Sequence, residues 1–200
     1  MRSKLLIAAG AAGIAVTGVV ATTGIATAGH TNTVLEATLD GRSEVATDAT
    51  DRRIVGDPDG SGEAYVFGID ANTTTLCYVL TVEGIAPATA AHIHEGARGE
   101  NGPVVVSLAA PADGNAADCI TEDRVLPSGS PAFARDAQGN RLTTVAEILA
   151  NPEDYYVNVH NAEYPGGAIR GQLEFQTSDG KGGKAHKAHK ADKADKAHKH

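Results

Sequence analysis

The chain has 200 residues, of which 42% are hydrophobic, and a formal net charge of -8 at pH 7. This length provides one domain with a sizeable core once the two ends are set aside, and the first cysteine, Cys77, comes too late for lipid attachment at a mature N-terminal cysteine. The sequence contains no Gly-x-Ser-x-Gly elbow, phosphate-binding loop or Cys-x-x-Cys pair, which excludes the hydrolase, nucleotide and dithiol sites that depend on those motifs.

The N-terminal segment, MRSKLLIAAGAAGIAVTGVVATTGIATAG, has the organisation of a secretory signal peptide. Arg2 and Lys4 form a positive region, residues 5–20 are apolar, and the Ala-Thr-Ala ending at Ala28 is a small-residue cleavage site. An uncleaved membrane anchor is the alternative, but the Gly and Thr content and the Ala-x-Ala ending argue against it. We therefore expect residues 1–28 to be removed, leaving a secreted, extracellular chain without stable membrane insertion.

The chain has one pair of cysteines, Cys77 and Cys119. In an oxidising compartment, an even pair in one small domain predicts a disulfide. Closing a loop of about 43 residues stabilises a fold by at most about 4 kcal/mol in the chain-entropy description. Two separate buried thiols are the alternative, which is less favoured outside the cell.

Residues 30–178 contain short β-branched or alternating runs that are bounded by Gly, Pro, Asn and Asp. Such runs predict strands, and their number and spacing predict an all-β, antiparallel sandwich domain. The segment DCITEDRVL adds a further candidate strand. The predicted strands are residues 34–41, 62–70, 74–84, 90–96, 102–108, 155–160 and 167–175.

One segment, LTTVAEILANPEDYY, departs from the strand pattern. Thr144 with Glu147 three residues later forms a capping box, and Val145 and Ile148 share one face of a helix that stops before Pro152. The sequence therefore predicts one short helix, which we expect to cross one end of the sandwich and to lead into the next strand.

The C-terminal segment, residues 179–200, repeats the triplet Lys-Ala-His/Asp and carries seven lysines against three aspartates. It has no large apolar residue to offset the entropy of ordering, so we expect a disordered tail. Its positive charge favours polyanions such as cell-wall polymers, extracellular nucleic acid or membrane headgroups. A solubilising tail with no partner is the alternative. Four histidines add a loose site for Zn, Cu or Ni: His186, His189, His198 and His200.

The three histidines between residues 31 and 178 all lie on predicted strands. His92 and His94 are two residues apart and project from the same side of one strand, while Ile93 faces the other side. His160 ends a later strand on its polar face. Three converging imidazoles would bind copper or zinc, because neutral imidazole is a borderline-soft ligand. The alternative is that these histidines lie on a solvated face or donate to loop carbonyls.

Two stretches, AHIHEGARGENGPVVVSL and NPEDYYVNVHNAEYPGGAIRGQLEF, resemble the CHRD family, which is named for the domain of chordin and is found in secreted bacterial proteins. The resemblance covers most of residues 33–176 and includes the His-Ile-His-x-Gly motif, the Tyr-Val-Asn-Val-His strand and the Pro-Gly-Gly turn. It implies an immunoglobulin-like or superoxide dismutase-like β-sandwich and little about activity. The growth-factor antagonism of chordin is associated with cysteine-rich repeats that this chain lacks, so that role is not implied.

The His-x-His strand, the later strand histidine and a C-terminal arginine also resemble copper/zinc superoxide dismutase. That resemblance implies His92, His94 and His160 as copper ligands, and Arg170 as a residue that supports the site or guides an anion towards the metal. The chain departs from that enzyme because it lacks a bridging histidine and a zinc-ligand cluster, and only ten residues separate His160 from Arg170. An outward-facing arginine paired with a neighbouring acid is the alternative for Arg170.

These patterns together predict a secreted binding or surface module with a histidine site for copper or zinc. A copper-dependent redox enzyme related to superoxide dismutase is the second hypothesis. An envelope protein that docks on polyanions through residues 179–200 is the third.

Overall fold

The structure is a computed structural model that describes residues 33–46 and 54–176. The predicted signal peptide (1–28) and the predicted basic tail (179–200) lie outside these residues, and so do the tail histidines and the expected polyanion contacts. Within the described ranges, no helix is both long and apolar enough to cross a membrane.

Antiparallel strands make up most of the regular secondary structure of the described residues, because β-branched and aromatic residues fill the runs between the turns. Each predicted strand is present, the last of them as two short strands, and DCITEDRVL begins within a further strand. Over residues 33–46 and 54–176 the strands are β1 (Val34–Asp40), β2 (Ser61–Ile69), β3 (Asn72–Glu83), β4 (Ala88–Glu95), β5 (Val104–Leu108), β6 (Asn115–Thr121), β7 (Tyr155–Asn161), β8 (Ile169–Gln172) and β9 (Glu174–Phe175), and the α-helix is α1 (Val145–Ala150).

The strands form one antiparallel sheet in the order β5-β4-β7-β8-β1-β2-β3-β6, with β9 paired to β1. Side chains from both halves of this order meet in a single hydrophobic core, so the sheet folds over on itself as a near-barrel sandwich. Leu35 and Leu39 of β1, Ile93 of β4 and Val157 of β7 are fully buried in that core. The predicted all-β antiparallel sandwich with one short helix is confirmed.

The chain between β6 and α1 covers the edge of β5. Phe133 is fully buried and forms a β-bridge with Val106 of β5. The Ala109 amide, just after β5, donates to Tyr78 Oη of β3 at 2.7 Å, which joins one end of the sheet order to the strand next to the other end. Unpaired edge strands favour aggregation, so these contacts protect one end of the sheet.

The short helix begins at the predicted capping box. Thr144 Oγ1 accepts from the Glu147 amide at 3.2 Å, and Glu147 Oε2 accepts from the Thr144 amide at 2.8 Å. Val145 and Ile148 are buried against β2 and β3. A 3-10 turn at Pro152–Asp154 follows the helix and leads into β7. The predicted helix is confirmed in its position and in its buried face.

Cys77 and Cys119 form the predicted disulfide. The two cysteines are directly opposite each other in the register of β3 and β6. The bond therefore ties β6, which ends the sheet order of the described residues, to its neighbour β3.

The outer face of β4, β7 and β8 carries polar side chains, but loops cover much of it. Residues 41–46 and residues 96–102, called here the 41–46 loop and the 96–102 loop, contribute hydrogen-bond partners to this face. One alternative from the sequence was that the histidines lie on a solvated strand face. The structure differs, because segments that are distant in the chain pack over these strands. Four polar side chains of this face are buried: Tyr156, Asn158, Arg170 and Gln172.

Candidate metal centre

The three histidines converge because β4 and β7 are neighbours in the sheet. In their antiparallel register, His92 is opposite Asn158 and His160 is opposite Ala90. His160 therefore lies diagonally across from His92 on the same face, within reach of a long or aromatic side chain. His94 follows two residues along β4 and shares that face. All three are half-buried, and they are the only histidines of the described residues.

The candidate ligand nitrogens lie near the spacing that one shared ion requires. His92 Nδ1 is 3.2 Å from His160 Nε2, and one ring nitrogen from each of the three histidines lies within 4.8 Å of the others. Two nitrogens that are about 2.0–2.1 Å from an ion and 3.2 Å apart subtend an angle of about 100–105° at that ion, close to tetrahedral. Two nitrogens bound to one ion at about 2.1 Å are at most about 4.2 Å apart, so a nitrogen at the 4.8 Å limit would have to move inward by about 0.6 Å. With that shift, the set fits a site with three protein nitrogens and one further open position.

Backbone carbonyls hold two of the rings in one tautomer. His94 Nδ1 lies 2.9 Å from Gly102 O, and His160 Nδ1 lies 3.0 Å from Pro165 O. A carbonyl oxygen only accepts, so each Nδ1 carries the proton and each Nε2 keeps its lone pair. His92 Nδ1 then donates to His160 Nε2. A metal ion bound between these two nitrogens would replace this hydrogen bond.

One of these lone pairs is left without a partner. Among the described residues, His94 Nε2 is buried and accepts no hydrogen bond. A buried polar atom without a partner costs about 1–3 kcal/mol, so native proteins rarely keep one without a reason. Coordination of a metal by the three imidazoles would satisfy this atom, and the residues present therefore fit a bound ion.

Burial favours the neutral form of all three imidazoles. Desolvation lowers the pKa of His92 to about 4, with smaller contributions from the nearby His160 and His94. Desolvation also lowers the pKa values of His94 and His160, although their hydrogen bonds to Gly102 and Pro165 act in the opposite direction. Neutral imidazole is the form that binds metal ions, so the cluster is in its binding form at neutral pH.

Arg170 lies on the same outer face, two strands away from β4. It is 2% exposed, and within the described residues its guanidinium donates to Ala97 O, Glu100 O and Asn101 Oδ1. An arginine that guides an anion has to face solvent, so these contacts favour the other expectation, a residue that supports the site from within the protein. Its donors go to carbonyl and amide oxygens of the 96–102 loop rather than to a neighbouring acid.

Sequence reasoning missed three side chains that surround the cluster. Tyr156 stacks on His94 with ring centroids 4.7 Å apart and planes 9° apart, and Asn158 Nδ2 donates to Glu44 Oε1 at 2.6 Å. The period of two along β7 places Tyr156 and Asn158 on the face of His160, but that period does not show what the two side chains contact. Glu44 is 114 residues before Asn158 in the chain, so no local pattern connects it to the site.

Comparison with known proteins gives one family. The family model that describes the CHRD domain matches residues 35–173, which include nearly all of the sheet and the three histidines. No curated protein matches the chain significantly.

Proposed function

The chain belongs to the CHRD-domain family, and we propose that it is a secreted binding module that holds one copper or zinc ion on His92, His94 and His160. The family supports a binding or surface module and by itself names no reaction. The metal site is argued from the imidazole cluster, and the location is argued from the disulfide and the N-terminal sequence.

The observation that carries the metal proposal is the buried, unpartnered Nε2 of His94 beside the other two imidazoles. Donation to loop carbonyls accounts for Nδ1 of His94 and His160, and the hydrogen bond from His92 accounts for Nε2 of His160. Nε2 of His94 is left without a partner among the described residues. One nitrogen of each of the three rings lies within 4.8 Å of the other two. A purely structural role for the histidines leaves this one buried nitrogen of His94 without a partner, whereas a shared metal ion would supply one.

The donor set suits copper or zinc. The described residues add no carboxylate to the three imidazoles. A set of neutral imidazoles is borderline-soft, which favours Cu or Zn over Mg or Ca. When bound, such an ion would supply a Lewis-acid centre or, for copper, a one-electron redox centre. The chain's own contribution is to keep the imidazoles neutral and to orient two of them through backbone carbonyls.

Binding is favoured over superoxide turnover. The residues before the tail carry 22 acids against ten Arg or Lys, and a net negative charge repels an anionic substrate while it attracts metal cations. Arg170 is buried on the 96–102 loop, where it cannot meet an anion from solvent. A copper-dependent oxidoreductase therefore ranks second.

Secretion is supported by the disulfide between Cys77 and Cys119, because disulfides persist in oxidising compartments. The signal-peptide pattern in residues 1–28 supports the same location. N-terminal sequencing of protein collected from the culture medium tests this. We expect the first residue to be near Gly29, and retention of Met1 in a cell-associated protein would contradict it.

The metal proposal is tested by titrating Cu(II) and Zn(II) into the tail-silent protein, defined as the full chain with alanine at the four tail histidines, residues 186, 189, 198 and 200. We expect one ion per chain, and loss of binding in His92→Ala and in His94→Ala. Glu163→Gln is the control, because it removes an exposed charge near His160 without touching an imidazole. Absence of retained metal in the tail-silent protein, or equal binding by His92→Ala, overturns the proposal.

A further inference from the structure

The 96–102 loop is held against the sheet by a buried guanidinium. Arg170 of β8 donates to Glu100 O at 2.5 Å and to Ala97 O at 3.3 Å, and it is 2% exposed. A buried guanidinium is stable only where its donors find acceptors. Here the loop backbone supplies them, so the position of the loop and the burial of Arg170 depend on each other.

Asn101 fastens the same loop to the second covering segment. Its Oδ1 accepts from Arg170 Nη1 at 3.2 Å, and its Nδ2 donates to Val45 O at 3.0 Å. One amide side chain thus joins Arg170, the 96–102 loop and the 41–46 loop. Hydrogen bonds to a charged donor are stronger than neutral ones, which makes Arg170 the centre of this network.

Tyr156 lies between Arg170 and His94. The guanidinium carbon of Arg170 is 3.3 Å from the centroid of the Tyr156 ring, and the His94 ring stacks on Tyr156 at 4.7 Å. His94 is on β4 and Arg170 is on β8, and these strands flank β7 on opposite sides. Cation–π contact and ring stacking therefore connect the buried charge to a candidate metal ligand.

Gly102 completes the connection at the end of the 96–102 loop. Its amide donates to Tyr156 Oη at 3.3 Å, and its carbonyl accepts from His94 Nδ1 at 2.9 Å. A Cβ at this position would lie 1.6 Å from Glu95 O, so only glycine fits where the loop passes the end of β4. The carbonyl that sets the His94 tautomer is thus placed by Tyr156 and by the loop that Arg170 holds.

We propose that Arg170 and Tyr156 are positioning residues of the metal site. They fix the 96–102 loop so that Gly102 O holds His94 in the tautomer that offers Nε2 to the metal. The inference rests on the proposed metal function and adds to it the means by which the ligand is oriented. In this role the Arg170 guanidinium orients a metal ligand through the loop, and it does not guide an anion to the metal.

The test measures Cu(II) affinity and the electron paramagnetic resonance spectrum of the bound Cu(II) in the tail-silent protein. Tyr156→Phe keeps the stacked ring but removes the acceptor for the Gly102 amide, and Arg170→Gln removes the charge and the forked donor. Loss of a partner that orients a ligand typically weakens metal binding about 10- to 100-fold. We expect that loss, with an altered spectrum, in both variants.

Arg98→Gln is the matched control. Arg98 is on the same loop, but it pairs with Glu174 in an exposed ion pair. Its replacement removes the same charge as Arg170→Gln and leaves the contacts of Gly102 in place. We expect affinity and spectrum to equal those of the tail-silent protein, and a loss as large as that of Arg170→Gln would indicate a general charge effect and overturn the inference.

The outcomes separate this inference from the proposed function. If the tail-silent protein retains no copper, the metal function itself fails. If it binds copper and both variants give the same affinity and spectrum as the parent, the positioning role alone is overturned.

A second measurement does not depend on Arg170→Gln, which removes a buried charge and risks unfolding the chain. The ¹⁵N shifts of the metal-free His94 ring are compared between the parent and Tyr156→Phe. We expect Nδ1 protonation in the parent and a tautomer mixture in the variant, and one unchanged tautomer counts against the proposal.

Discussion

His92 Nδ1 and His160 Nε2 lie 3.2 Å apart, although 68 residues separate the two histidines in the chain. The contact exists because β4 and β7 pair in a register that brings the two side chains onto one face. The site therefore forms only while β4 and β7 pair in this register, and metal binding depends on that pairing.

Metal occupancy of the cluster should resist acid better than that of an ordinary histidine. Burial lowers the pKa of His92 to about 4, so protons compete with a metal for this ring only well below the usual pKa of about 6.5. We expect copper loading to stay level from neutral pH to about pH 6 and to fall as the pH approaches 4. A synthetic peptide of residues 179–200 is the control and should release copper nearer pH 6.5. Identical release profiles for peptide and tail-silent protein would contradict the prediction.

Glu44→Gln should change how stability depends on pH. Burial raises the pKa of Glu44 to about 8, despite the opposing charge of Arg170. The folded-state pKa lies above the unfolded value of 4.5, so the stabilising contribution is complete below pH 4.5 and is lost as the pH rises through about 8.

Glutamine stays neutral at every pH and can still accept a hydrogen bond from Asn158. The Glu44→Gln variant should therefore not lose this stability as the pH rises. Urea unfolding at several pH values is the measurement. Between about pH 5 and pH 8, the free energy of unfolding of the parent should fall by up to about 3–4 kcal/mol more than that of Glu44→Gln. Parallel pH profiles would show that Glu44 titrates normally.

Removing the disulfide should weaken the fold but spare the metal site. The bond between Cys77 and Cys119 joins β3 to the edge strand β6, and neither strand carries a candidate ligand. We expect the double variant Cys77→Ala with Cys119→Ala to lose about 2–4 kcal/mol of unfolding free energy in guanidinium titrations. Reductant should lower the stability of the parent and leave the double variant unchanged. Unchanged stability in the double variant, or loss of copper binding by its folded form, would refute the prediction.

The capping box should contribute measurably to α1. Thr144→Ala removes the oxygen that accepts from the Glu147 amide, which typically costs about 1 kcal/mol. Thr144→Ser keeps a hydroxyl at the same place and should differ little from the parent. Thermal and chemical unfolding of the three proteins test this, and equal stability of the alanine and serine variants would mean that the cap is unimportant here.

The tail should bind polyanions in a salt-dependent way. Residues 179–200 carry seven lysines, and neutralised phosphates release counterions when such a segment binds. We expect the protein to be retained on immobilised DNA at low ionic strength and released steeply as salt increases. A chain shortened after residue 178 is the matched control and should not be retained. Equal retention of both chains would place the binding elsewhere.

The sequence by itself determined the local structure. Alternating apolar residues predicted the positions of the strands, and Thr144 with Glu147 predicted where α1 begins. The presence of two cysteines in one small domain predicted the disulfide. The His-x-His spacing also placed His92 and His94 on one face. These inferences succeed because each depends on residues close in the chain, where the geometry of a strand or helix turn fixes which side chains are neighbours.

Only the tertiary structure decided what surrounds the histidines. It brought His160 to His92, buried Arg170 under the 96–102 loop and placed Glu44 against Asn158. Contacts of this kind join segments tens to more than a hundred residues apart, and their geometry depends on strand order and loop packing rather than on any local period. Burial then set the electrostatics, because the same imidazole that titrates near pH 6.5 in water stays neutral once its surroundings exclude solvent.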